Sequence, residues 1–254
     1  MEELTFLLMM HEESMTKSSE QWGHVDHNLL QIQDEFHRIT MVHLEPKFKS
    51  KLDECTPRLL NLFHSKGRSM GLRLQAILLK TPSNPDINMT RDVVIRCLMM
   101  YLGESTDQLL KEYDDADEDS VSQDLAVQNL KIYNIKANTS EDPDNIGIVV
   151  EGMKVLTALG NFPRACSLLI GLVYAVNLAY PKELRYTFEV FQKLLLGPDS
   201  SKLSPKVNSL RNKLLAQEKG PLLIKRELTT DSCLTQDATS TGDLTLFAHT
   251  LTGT

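Results

Sequence analysis

The chain has 254 residues, of which 41% are hydrophobic, 6% aromatic and 24% charged, an ordinary globular composition that excludes the collagenous and wholly disordered classes. Its length allows one large domain or two small ones, and a mean hydropathy of -0.22 excludes a polytopic membrane protein. A formal net charge of -7 disfavours a dedicated nucleic-acid binder, although the average conceals segregation: Pro46–Lys80 carries +6, Glu104–Asp124 carries -8 and Lys182–Arg226 carries +6.

Residues 1–23 mix Met, Ser and Glu with weak periodicity, which predicts a loosely ordered N-terminal segment. Residues 24–219 are expected to form a single, mainly α, multi-helix domain. Leu29, Ile32, Phe36, Ile39 and Val42 recur at three and four residues, the period of one helix face. Pro46 fits the start of a second helix, whose stripe runs through Phe48, Leu52, Cys55, Leu59, Leu62 and Phe63, with Pro57 expected to kink or restart it. Gly67 and Gly71 bracket a turn before a short helix at Leu72–Leu79, and Thr81-Pro82-Ser83-Asn84-Pro85 reads as a loop. Thr90 then serves as N-cap for a helix that Gly103 ends.

Leu109, Leu110 and Tyr113 suggest one more helical turn inside an acidic loop at 104–124. Residues 125–150 change character: Leu125–Ile135 and Ile146–Val150 are rich in Val, Ile and Tyr around a polar loop, which predicts a minor two-stranded β element lying against the helices. Ala165–Pro181 is the strongest apolar run, 17 residues without a charge. It is too short to span a bilayer, carries Ser167 and Asn177, and is read as a central core helix at about Pro163–Ala179. Ser167, Gly171, Ala175 and Ala179 fall four apart, so one edge of that helix can approach another backbone closely. Pro181 opens a further helix through Leu195, stopped by Gly197-Pro198, and Ser204-Pro205 opens the last one. Residues 220–254 lose helical periodicity, and nine of the last 26 are threonine, which predicts a disordered tail.

Few residues invite chemistry. Asp115, Asp117 and Asp119 begin like a calcium loop, but the sixth position is Ser120 instead of Gly and the twelfth is Ala126 instead of Glu. Asp114, Asp115 and Glu118 have the look of a magnesium–diphosphate helix without the second acidic helix such a site needs. His24 and His27 can share a helix face, with His37 and His43 farther on, but no further zinc ligands stand at suitable spacing. Cys55, Cys97, Cys166 and Cys233 are dozens of residues apart and read as reduced, mostly buried thiols. Nucleophile-elbow, P-loop and dinucleotide glycine motifs are absent. No catalytic, cofactor-binding or metal-binding residue is therefore expected. Glu2 and Glu3 stand where a secretory signal would be positive, so a cytoplasmic or nuclear location without a membrane anchor is expected.

The stretches TRDVVIRCLMMYLGES (Thr90–Ser105), IVVEGMKVL (Ile148–Leu156), ACSLLIGLVYAVNLAYPKELRYTFEVFQKLLL (Ala165–Leu196) and SPKVNSLRNKLL (Ser204–Leu215) resemble the multicopy vertebrate proteins often named sterile alpha motif domain-containing 3-like. The similarity covers Gln33 to Ala216. It implies a helical module of unknown biochemistry, attached in relatives to modules such as a sterile alpha motif domain or zinc fingers, and it supplies no catalytic residues. No sterile alpha motif is recognisable in this chain, and the threonine-rich end after Gly220 is unlike the family.

Three functions remain open on the sequence. A dense helical core with no chemical constellation points first to a non-enzymatic intracellular interaction module with a protein partner. The two +6 segments motivate a nucleic-acid-associated protein of mobile-element descent, and a small hydrolase with a site assembled from distant residues is the third.

Overall fold

The computed structural model describes residues 27–114, 117–136, 145–197 and 202–227. The protein is mainly helical, with a small four-stranded mixed sheet. Helix α1 (His27–Thr40) buries Leu29, Ile32 and Phe36 as its spacing predicts, whereas Ile39 near its end stays exposed. Met41 takes a left-handed conformation (φ 59°) and turns the chain into α2 (Leu44–His64).

All six apolar positions expected on α2 are buried, together with Leu44. Pro57 lies inside this continuous helix instead of breaking it. Proline costs a helix one backbone hydrogen bond, here the one that the Asp53 carbonyl would accept. Buried residues on both sides of the proline then hold the segment in line.

Helix α3 (Arg68–Leu78) starts four residues earlier than expected and includes Gly71. A Cβ at Gly71 would stand 2.1 Å from the Lys66 carbonyl oxygen, so only glycine lets the first turn fold back on the preceding loop. Helix α4 (Ile87–Tyr101) is capped by Asp86, whose side chain accepts from the Met89 N–H at 2.8 Å, and not by Thr90. The carboxylate is the stronger cap, and Thr90 Oγ1 is already donating to the Asp86 carbonyl. Gly103 (φ 72°) ends the helix as expected, with Gly103 N–H bonded to Met100 and Glu104 N–H to Met99.

The β element has four strands, not two. Strand β1 (Leu110–Tyr113) pairs in parallel with β2 (Leu130–Ile135), β3 (Asn145–Val150) pairs antiparallel with β2, and β4 (Met153–Leu156) pairs antiparallel with β3. Residues 104–124 are therefore not a loop: they carry the edge strand β1 and helix α5 (Glu118–Leu125), which forms the crossover between the parallel strands. Leu125 ends α5 instead of starting a strand. Glu151 (φ 47°) and Gly152 (φ 78°) make the two-residue turn from β3 to β4, with both central residues left-handed as such tight hairpins require.

The sheet divides the packing. Leu130, Ile132, Ile148 and Val150 join the main core, while Tyr133 and Val149 meet Val121 and Leu125 of α5 in a small second cluster. Helix α6 (Phe162–Ala175) is the central helix: apart from Arg164 every residue from Phe162 to Val173 is buried, against α1, α2, α4, β2 and β3. It is capped by Asn161 and stops at Ala175, short of Ala179, because Asn177 goes left-handed (φ 46°) and Leu178 N–H bonds back to Val173 at 2.9 Å. At Gly171 an added Cβ would lie 2.5 Å from Leu44 Cδ2 and 2.7 Å from Ile32 Cγ2, so the small-residue edge is a close contact with α1 and α2.

After Pro181 a single turn (Lys182–Leu184) leads into α7 (Arg185–Glu189), which continues as a π-helical stretch, Val190–Leu196, up to Gly197 (φ 72°). Helix α8 (Pro205–Glu227) is continuous past Gly220, where periodicity had suggested an end. One compact unit reaches Gln217, and the part of α8 from Glu218 onward falls outside it. The segment 1–26 and the threonine-rich stretch from 228 onward, expected to be loosely ordered, lie outside the described residues.

Candidate functional site

Helix α3 differs from its neighbours in how little of it is covered. Only Leu74 is fully buried, with Met70, Ile77 and Leu78 partly so. Leu72 and Leu79 remain 70% and 76% exposed. They lie seven residues apart, two turns along one line of the helix. Arg68 and Gln75 flank that line on one side, and Arg73, Ala76 and Lys80 on the other, all of them exposed. Just past the connecting loop, Ile87 and Met89 at the start of α4 add further exposed apolar surface. Between the end of α2 and α3 opens a groove of about 390 Å³, lined by Phe63, His64, Lys66, Gly71, Leu72 and Leu78.

The electrostatics of this surface are one-sided. Between Glu54 and Asp86 the chain contains no acidic residue, while Arg58, Lys66, Arg68, Arg73 and Lys80 all fall there. Two of the earlier cations of the same positive segment are paired along α2, Lys49 with Glu45 at 2.6 Å and Lys51 with Glu54 at 2.7 Å. Arg68, Arg73 and Lys80 form no ion pair among the described residues. The sequence contained the signal for this surface and the stripe rule missed it: Leu72, Leu74, Ile77, Leu78 and Leu79 span too wide an arc for one buried face.

The other polar groups brace the scaffold. Arg96 is held between Asp92 at 2.5 Å and Glu112 at 3.1 Å and lies over the Phe162 ring, tying α4 to β1 and α6. Arg91 donates twice to Asp53. Glu45 accepts from Gln33, Lys49 and Arg164, joining α1, α2 and α6. Burial pushes the Glu45 carboxyl up, but Lys49 and Arg164 outweigh it and hold it below its ordinary range. Burial raises the Asp92 carboxyl despite Arg96. The buried Glu104 carboxylate accepts from Tyr186 N–H at 2.8 Å, Thr187 N–H at 2.9 Å and Thr187 Oγ1 at 2.6 Å, fastening the start of α7 to the end of α4.

A second groove, about 530 Å³, lies among Tyr180, Arg185, Tyr186, Glu189, Lys193 and Ser204. Its polar groups answer one another. Glu189 accepts from Ser204 N–H at 2.7 Å, Lys193 donates to the Lys202 carbonyl, Arg185 stacks on Tyr186, and Ser204 Oγ caps α8 through Val207 N–H. No histidine or cysteine lines it, so it holds no nucleophile–base pair of the serine–histidine or cysteine–histidine kind.

The residues singled out in the sequence scatter into structural roles. Asp117 is the N-cap of α5, accepting from Ser120 N–H at 2.9 Å and Ser120 Oγ at 2.6 Å, and Glu118 and Asp119 occupy the first turn, where negative charge favours a helix. Asp114 pairs with Lys136 at 2.7 Å. Asp115 and His24 lie outside the described residues. His37 and His43 stack with ring centroids 4.4 Å apart and planes 8° apart, a face-to-face arrangement rather than two nitrogens converging on an ion. Among the described residues no three His, Cys, Asp or Glu gather as a metal site. Cys55, Cys97 and Cys166 are buried thiols; burial pushes Cys97 up to about 12, and Cys166 is raised well above its usual value. The two positive segments meet at one point, where Lys66 and Lys213 lie 4.9 and 5.7 Å from the Tyr101 ring centroid and Lys213 donates to its hydroxyl.

No protein-family model, no curated protein and no solved structure matches this chain. No described helix is long and apolar enough to cross a membrane.

Proposed function

We propose that this protein is a non-enzymatic interaction module inside the cell, and that its docking surface is α3 with the groove behind it. The observation that carries the reading is the pair Leu72 and Leu79, exposed in line on a helix that only Leu74 anchors fully. A rigid scaffold presenting a few uncovered large apolar side chains is the usual makeup of a binding surface. The resemblance of Gln33–Ala216 to the sterile alpha motif domain-containing 3-like proteins fits a module of this kind. Thiols as buried as Cys97 and Cys166 suit a reducing cytoplasm or nucleus.

The test is a photo-crosslinking side chain placed at Leu72 in the full chain. A captured protein, rebuilt with purified components, should bind the parent and lose roughly tenfold or more affinity to Leu72→Asp/Leu79→Asp. Affinity indifferent to those two substitutions overturns the reading.

A second reading, a nucleic-acid-associated protein, draws support from the convergence of Lys66 and Lys213 on Tyr101. Lys66, Lys213 and the Phe63 ring, 6.0 Å away, already crowd that tyrosine, so a base would have to compete with them to stack there. Binding should then be electrostatic alone, about 10⁻⁴–10⁻⁶ M at physiological salt. A saturable complex with DNA or RNA below micromolar protein at about 150 mM salt, lost on Lys66→Glu/Lys213→Glu, would place this reading first.

A further inference from the structure

Resting on the α3 docking reading, we infer that the surface takes an acidic amphipathic helix from a partner protein. The line Leu72–Leu79 sets the register: two turns of helix separate them, about 10 Å at 1.5 Å per residue, which matches apolar residues seven apart on an antiparallel or parallel partner helix. Cations border that line on both sides, Arg68 on one and Arg73 with Lys80 on the other, without an ion pair among the described residues. A partner carrying carboxylates on both edges of its apolar stripe meets them on either side, and no acid within residues 55–85 offsets these cations.

The other occupants fit less well. A second copy would bring the cations flanking Leu72 and Leu79 against the same set on its partner, like charge facing like across a two-fold axis. A lipid surface rewards a broad convex apolar arc, whereas this helix shows two leucines beside a concave groove of about 390 Å³. Single-stranded nucleic acid needs open aromatic faces, and Phe63, which lines the groove, is 1% exposed.

The experiment titrates the full chain against three probes by fluorescence anisotropy and co-sedimentation: a helical 18-residue peptide with leucines at i, i+4 and i+7 flanked by glutamates, the same leucines flanked by lysines, and phosphatidylserine vesicles. The glutamate peptide should saturate at roughly 10–100 μM and bind at least about tenfold more tightly than the lysine peptide. Leu72→Asp/Leu79→Asp should abolish binding, and Arg68→Glu/Arg73→Glu should reverse the preference; circular dichroism of each variant checks that these exposed positions leave the fold intact. Equal or reversed affinities for the two peptides in the parent overturn the acidic partner while leaving α3 as a docking site. Vesicle binding without peptide binding replaces the partner helix by a membrane. Failure of every probe, together with a crosslinked partner that does depend on Leu72 and Leu79 but contacts them through a non-acidic segment, removes this inference alone; a partner indifferent to both leucines removes the docking reading as well.

Discussion

Helices α3 and α6 are both rich in leucine, yet one is nearly bare and the other enclosed. In α6 the run Phe162–Val173 is buried except for Arg164, because α1, α2, α4 and two strands close around it. In α3 Leu74 alone is fully covered, and α2 and α4 support the helix from behind. Apolar content does not decide burial; the number of elements that topology brings to a helix does. The enclosed helix sets stability, and the bare one is free to present side chains.

That contrast can be broken most directly by deleting the same side chain in both places. Leu169→Ala in α6 should cost about 2–5 kcal/mol in chemical denaturation, from lost transfer energy and a residual cavity, whereas Leu72→Ala should stay within about 0.5 kcal/mol of the parent. Equal losses would mean that α3 is covered in solution. Gly171→Leu should cost about 1–3 kcal/mol, since Leu44 and Ile32 already stand where its Cβ would go. An unchanged denaturation midpoint would show that α1 and α2 can retreat from α6 freely. Glu104→Ala should cost about 1–3 kcal/mol by leaving the Tyr186 and Thr187 N–H groups without their acceptor, and hydrogen exchange at those two amides should quicken first. A uniform change in exchange across the chain would contradict so local a role.

The smallest effect is in pH dependence. Glu45 titrates below its ordinary value in the folded chain, so its pairing contributes fully above the unfolded carboxyl range and is lost as pH falls from about 4.5 through the lower folded value. Glu45→Gln should flatten that part of the stability profile between about pH 5 and 3 and leave the α3 surface untouched. A profile of unchanged slope would mean that Lys49 and Arg164 give the carboxylate no net advantage over water.

Much of the helical frame was legible in the sequence. The α2 stripe is buried as spaced, Gly103 ends α4, and the uncharged run after Arg164 is the central helix. The sheet was only half legible. Leu130–Ile135 and Ile146–Val150 announce themselves by Val, Ile and Tyr, but β1 is four residues long and becomes a strand through parallel pairing of Leu110 with Ile132 across the α5 crossover, a non-local cause that no window of neighbours contains. Met153–Leu156 is a strand because the Glu151-Gly152 turn folds it onto β3. The candidate docking surface was least legible, since Leu72 and Leu79 look like core residues until the missing neighbours are seen.

The position of α6 in the chain bears on how the protein is made. Helices α1 and α2 are complete by His64, but Ile32, Phe36 and Leu44 pack against Gly171 and Tyr174 and so lack that cover until residues 162–175 exist. At about 5–20 residues per second, a ribosome takes roughly 5–20 s to synthesise the intervening hundred or so residues. During that interval the first two helices expose their apolar faces on a nascent chain, and this window, more than the finished molecule, is where a chaperone would be needed.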